Sequence, residues 1–252
     1  MLSKALVAEF IGTFALIFIG AASGVIAGTG AGSLITVALA HGLTIMIFAY
    51  AYGHISGTHI NPAVTLGLTA AGKFETSKVV PYLVAQLLGA LVAAFVLKFV
   101  VFSGAVTDAA AKAAIAGLGA PGIGATSTLA GALLAELIGA FFLINTICNA
   151  AVSGKAGNLA PIAIGLTVGV GIMAFGPVSG ASFNPARTLG PALVAGFFGA
   201  YTWLAVVAEI IGGVLAGLLY RYFLEEKTVE LPVPAAAATP GGARKKRQTQ
   251  FA

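Results

Sequence analysis

The chain has 252 residues, of which 59% are apolar and only 21 are charged (13 Lys and Arg, 8 Asp and Glu), far below the roughly 25% of soluble domains. These proportions exclude a water-soluble globular fold and point to a body solvated by lipid. The net charge of +5 is too small and dispersed to suggest a nucleic-acid partner, and the one cysteine, Cys148, supports no disulfide framework, zinc pattern or redox pair.

An apolar helix of about 20 residues crosses the roughly 30 Å hydrocarbon core, where each segment must satisfy its own backbone amides. The first such run, residues 5–27, follows Lys4 and is too long for the hydrophobic region of a signal peptide. The second, 34–53, holds His41 near its start. A short apolar stretch, 61–71, precedes the third run, 79–102. Segment 103–127 is rich in Gly and Ala, holds Asp108 and Lys112, and reads as a long surface connection. Runs at 128–151 and 159–176, a second short stretch at 184–196, and a last run at 201–223 complete an all-α channel-like body of residues 1–223. Residues 224–252 combine Pro, Ala, Gly and charge and cannot build a core, so they read as a flexible tail. Its Arg244 to Arg247 run reads as solvated and topogenic, with contact to anionic lipid as the alternative.

The two halves repeat. His59-Ile60-Asn61-Pro62-Ala63 and Ser182-Phe183-Asn184-Pro185-Ala186 share a tripeptide 123 positions apart, and Ala8-Glu9-Phe10-Ile11-Gly12 resembles Ala135-Glu136-Leu137-Ile138-Gly139 at an offset of 127. Each half (about 5–102 and 128–223) holds three spans and one half-length segment. An odd number of spans forces the copies into opposite orientations, an inverted repeat typical of channels and transporters. Lys4, Lys73, Lys78, Lys155, Arg221 and Lys227 fall on one side and Lys98, Lys112 and Arg187 on the other. The excess of basic residues places both termini in the cytoplasm; the membrane expected for the chain is the plasma membrane.

Proline suits the first turn of a helix and Asn is a favoured N-cap, so each Asn-Pro-Ala reads as a helix start. A half-helix of about 11 residues reaches about 16 Å, half the core. Two of them, oppositely oriented, meet near the midplane with their positive N-termini facing, which repels cations and protons. Asn61 and Asn184 then offer amide N–H donors to a small solute. The carbonyls of Gly57, Thr58 and His59, and of Gly180, Ala181 and Ser182, need partners, and irregular backbone at this depth is tolerated where it lines a water-filled cavity. Such a path suits a neutral molecule that both donates and accepts, and water is the smallest candidate.

This pattern resembles the aquaporin family, the major intrinsic proteins, over about residues 4–223, including Ser56 to Thr65 and Ser179 to Arg187. The resemblance implies an aquaporin-like fold of six tilted transmembrane helices with two re-entrant half-helices, one pore per subunit and a homotetramer in membrane lipid, with no cofactor. It also places an aromatic/arginine filter on His41, Ile172, Ala181 and Arg187. Without it, His41 reads as a core histidine bonded to backbone, Arg187 as an interfacial arginine, and Ile172 and Ala181 as membrane packing. The set resembles the filter of some plant tonoplast intrinsic proteins, which implies passage of water together with ammonia, urea or hydrogen peroxide. Thr188 directly after Arg187 and Ala181 in place of an aromatic depart from the glycerol-facilitator pattern, and Ala205 and Val206 depart from the water pattern, leaving some glycerol passage open.

Glu9 and Glu136 lie in apolar spans, where a carboxylate is a functional candidate. A proton relay would need a chain of partners; the resemblance implies instead that they accept from backbone N–H groups of the half-helix loops, with Gln86 assisting. An intramembrane enzyme would need a nucleophile and base or metal ligands at shared depth, yet the histidines His41, His54 and His59 all lie in one repeat. An ion-coupled transporter and a purely junctional protein remain as competing classes.

Overall fold

The structure is a computed structural model that describes residues 2–105 and 107–226. Most of the expected tail, with the Arg244 to Arg247 run, lies outside the described residues. The helices are α1 (Leu2–Gly28), α2 (Leu34–Ser56), α3 (Pro62–Ala70), α4 (Thr76–Val96), α5 (Ala109–Gly117), α6 (Leu129–Thr146), α7 (Ala160–Ser179), α8 (Pro185–Ala195) and α9 (Ala200–Leu219). Short π-helical turns extend α4 (Leu97–Val101), α6 (Ile147–Val152) and α9 (Tyr220–Leu224). With these extensions, six helices among the described residues are long and apolar enough to cross a membrane, and α3 and α8 are the two half-length elements.

Two expected boundaries move. The fifth span was expected to end at 176, before Pro177, but α7 runs through the proline to Ser179 and stops at Gly180, whose φ of 86° is left-handed. Gly57, with φ 85°, ends α2 in the same way. Left-handed glycine closes a helix by giving its N–H to a carbonyl of the last turn, here Gly53 O and Gly176 O. The second correction concerns 103–127, which is not simply a surface connection. Asp108 caps α5 by accepting from Ala111 N (2.7 Å), and α5 packs on α1. Leu118 is fully buried, and Gly122 N and Gly124 N donate to Ser179 O and Val178 O. The alanine-rich run is a strong helix former, and its small residues allow close packing over the bundle.

The repeat governs the packing. α1 pairs with α4, α6 with α9, and α2 with α7 across the two halves. At the α2–α7 crossing a Cβ on Gly42 would lie 2.7 Å from Gly165 O, and one on Gly165 would collide with Gly42 O. Only glycine permits that approach. Each half-helix packs on the last spanning helix of the opposite repeat, α3 on α9 and α8 on α4. The far end of each is held by a cation: Lys98 Nζ donates to Val194 O (2.6 Å) and Arg221 Nη1 to Ala70 O (3.4 Å). Positive charge at a helix C-terminus complements its dipole. Lys73 and Lys155 pair with Glu225 and Glu226 beyond α9.

Candidate functional site

Asn61 and Asn184 cap α3 and α8 as expected, each followed by proline at the first helical position. Asn61 Oδ1 accepts from Ala63 N (2.8 Å), and Asn184 Oδ1 accepts from Ala186 N (3.0 Å) and Arg187 N (3.4 Å). The amide ends cross the repeat boundary: Asn61 Nδ2 donates to Phe183 O (2.8 Å) and Asn184 Nδ2 to Ile60 O (2.9 Å). The sequence did not foretell these crossed bonds, which occupy one of the two amide N–H groups on each asparagine. One N–H of each asparagine locks the two repeats together, and the second has no protein acceptor among the described residues.

The segments leading into the caps are irregular in matching ways. Thr58 and Ile60 have φ of 49° and 42°, and Ala181 and Phe183 have 47° and 54°. Each non-glycine residue in this region costs about 1–3 kcal/mol and persists only if its surroundings hold it. Two buried carboxylates do so. Glu9 Oε1 accepts from Ser56 Oγ (2.7 Å) and His59 N (2.9 Å), and its Oε2 from Ile60 N (2.6 Å) and Gln86 Nε2 (2.8 Å). Glu136 accepts from Ser182 N (3.0 and 3.1 Å) and Phe183 N (2.8 Å). The glycine in each copy of the Glu-containing motif makes room for the residue before the cap. A Cβ on Gly12 would lie 2.6 Å from Ile60 Cγ2, and one on Gly139 would overlap the Phe183 ring. The carbonyls of Gly57, Thr58, His59, Gly180, Ala181 and Ser182 are not taken by donors among the described residues.

Of the four filter residues, the structure joins two by a polar contact. Arg187 Nε donates to His41 Nε2 (3.3 Å), and His41 Nδ1 faces Val37 O (2.9 Å). With Nδ1 donating and Nε2 accepting, both ring nitrogens are satisfied by a neutral imidazole. A Cβ on Gly20 would overlap this ring, so glycine there leaves it space. Arg187 Nη1 is buried without a protein partner. Ile172 and Ala181 are also buried, with no polar contact tying their side chains to the other two. The His59 ring packs between Phe74 and Tyr82 and its Nδ1 meets Thr65 Oγ1 at 3.0 Å.

Several contributors escaped the sequence reading. Tyr82 and Tyr201 donate to Ser56 O (2.9 Å) and Ser179 O (2.8 Å), the ends of α2 and α7. Thr188 Oγ1 lies 2.6 Å from both Ser182 Oγ and the Oε1 of Glu209, a third fully buried carboxyl. The available signal was the offset of 123, which relates Gln86 to Glu209 as it relates Asn61 to Asn184.

Sequence comparison finds the family described as major intrinsic protein over residues 1–220. Aquaporin Z of Rhodopseudomonas palustris is 43% identical over 227 residues, covering 88% of this chain and 93% of that protein. Probable aquaporin TIP2-1 of Oryza sativa subsp. japonica is 40% identical over 227 residues, covering 86% of each. Among solved structures, the aquaglyceroporin from Plasmodium falciparum superposes with a TM-score of 0.76 at 25% identity, covering 89% of this chain and 97% of that one.

Proposed function

The chain belongs to the major intrinsic protein family and is a passive multi-pass water channel, not an enzyme; we propose that its path runs through the junction of Asn61-Pro62-Ala63 with Asn184-Pro185-Ala186. The observation that carries this reading is the crossed pair of asparagine bonds. It leaves one N–H on each cap unclaimed where two half-helix N-termini face each other. A passing water receives donors from Asn61 and Asn184 and gives its protons to the six unclaimed carbonyls on either side. The facing dipoles disfavour cations and protons. Glu9, Glu136 and Gln86 hold the strained loops in place.

At one mouth, Arg187, His41, Ile172 and Ala181 form the filter. Ala181 and Ile172 leave it wider and less polar than an aromatic would, and ammonia, urea, hydrogen peroxide and some glycerol pass beside water. The channel unit is residues 1–223, with both termini cytoplasmic in the plasma membrane. It assembles as a homotetramer; in support, α2 and α7 bury the smallest share of the spanning helices. An open, mostly apolar groove lined by Phe142, Asn145, Thr167 and Val170 on α6 and α7 also offers a surface for a neighbouring subunit.

The test is stopped-flow light scattering on proteoliposomes with water, glycerol, urea and ammonia, for the wild type and His41→Phe. Fast water flux, with larger-solute flux selectively reduced by His41→Phe, is expected. Equal effects of the substitution on every solute would reject the filter assignment.

A further inference from the structure

Glu209 is a buried carboxyl on α9 that the path described above does not use. It stands 123 positions after Gln86, the offset that also takes Thr65 to Thr188 and His59 to Ser182. In the first repeat Gln86 Nε2 donates to Thr65 Oγ1 (3.0 Å) as well as to Glu9. The position is therefore that of a donor. An ionised carboxylate only accepts, so in the second repeat the corresponding contact to Thr188 lacks its proton unless the carboxyl supplies one.

Counting protons leads to the same place. Three contacts join four oxygens in a row: Glu209 Oε1 to Thr188 Oγ1 (2.6 Å), Thr188 Oγ1 to Ser182 Oγ (2.6 Å), and Ser182 Oγ to the backbone O of Asn184 (3.0 Å). Each contact needs one proton. The two hydroxyls bring one each and the carbonyl brings none. An ionised Glu209 would leave two lone pairs opposed at hydrogen-bond distance. It would also bury a charged oxygen with no donor, because Oε2 has no protein partner. That is costly, and it differs from Glu9, whose two oxygens accept four donors.

We infer that Glu209 is a protonated carboxylic acid and a positioning residue of the second half-path, heading a chain that runs Glu209 O–H to Thr188, Thr188 O–H to Ser182, and Ser182 O–H to the carbonyl of Asn184. Ser182 is then gripped twice, its N–H by Glu136 and its hydroxyl by this chain. Glu136 accepts backbone N–H donors on both of its oxygens and needs no proton of its own for these bonds. The chain holds in place the cap asparagine and the left-handed residues Ala181 and Phe183 on either side of Ser182.

Two measurements on the full-length protein test this, and only the second rests on the channel reading. Infrared difference spectroscopy of wild type against Glu209→Gln in lipid should show a carboxylic-acid C=O band in the wild type that shifts on deuteration and is missing from the variant. Absence of that band overturns the inference. In proteoliposomes, Glu209→Met removes the donor, and water flux per folded protein should fall about tenfold, the equilibrium shift expected from one buried hydrogen bond. Glu209→Gln restores an amide donor to Thr188, as in the first repeat, and should recover most of that loss. Equal loss in both variants, or no loss in Glu209→Met, overturns the positioning role. If Glu209→Met does not fold, the infrared band and the flux of Glu209→Gln against wild type decide. A wild type that passes no water but shows the band would refute the channel reading and leave the protonated carboxyl standing.

Discussion

Replacing Glu9 by Gln tests whether the buried carboxylates hold the strained loops. The carboxylate receives four donors: the Ser56 hydroxyl, the N–H groups of His59 and Ile60, and the Gln86 amide. Glutamine keeps one acceptor oxygen and turns the other into an NH2, which then confronts two donors. Gln86 can relieve one conflict by turning its amide, since its Oε1 has no partner to lose, but only by giving up the Nε2 bond to Thr65 Oγ1. Ile60 cannot turn, because its N–H belongs to a backbone fixed at φ 42°. An orphaned buried N–H costs about 1–3 kcal/mol, and the remaining bonds lose the extra strength of a charged acceptor, about 1 kcal/mol each. The sum is about 3–5 kcal/mol, or roughly 10 °C in apparent melting temperature for a chain of this size. Thermal unfolding in detergent and water flux in proteoliposomes read the two consequences. Glu9→Ala, which strands all four donors, should melt lower still. A Glu9→Gln variant that melts within about 2 °C of wild type and conducts equally would refute the argument that this carboxylate sustains the loop.

Other perturbations follow the same geometry. Gly139→Ala places a methyl on the Phe183 ring, which Gly171 confines from another side, so the yield of monodisperse protein should collapse; normal yield and flux would show that the ring has room. Lys98→Met and Arg221→Met each remove a cation from a half-helix end, at about 1–2 kcal/mol, and the distant sites should add in the double variant; chemical denaturation checks the sum. Cys148 is fully buried, so mercurials should leave water flux unchanged in proteoliposomes, and strong inhibition would place its thiol next to the path.

The legible parts of this chain were the locally encoded ones. An Asn before a Pro starts a helix wherever it stands, so both half-helices could be read at once. Glu9 and Glu136 stood out because carboxylates inside matching apolar motifs need a reason. Gln86 and Glu209 are different residue types, so their equivalence surfaces only when the repeat offset is carried into the third span of each half. The crossed asparagine bonds join residues 122 and 124 apart in sequence and leave no local pattern. α7 running past Pro177 shows a left-handed glycine overruling a proline as the stop. In segment 103–127, the Gly and Ala content together with the charges Asp108 and Lys112 suggested a connection, whereas the same alanines form a helix once α1 offers a surface.

The exchange of half-helices between repeats carries a consequence for biogenesis. α3 rests on α9, its end is held by Arg221, and the cap of α8, Asn184, donates to the carbonyl of Ile60 just before Asn61. When the ribosome has delivered the first three spans, the early half-helix has neither its seat nor its clamp, and the loop at His59 is held only by first-repeat contacts such as those of Glu9 and Tyr82. Contacts of such long sequence separation form late because the intervening chain must be ordered first. Seating of α3 therefore waits for translation to pass residue 221, and the protein inserts its walls before it can finish its conduit. A chain truncated anywhere in α9 would be a set of spans with an unfinished interior.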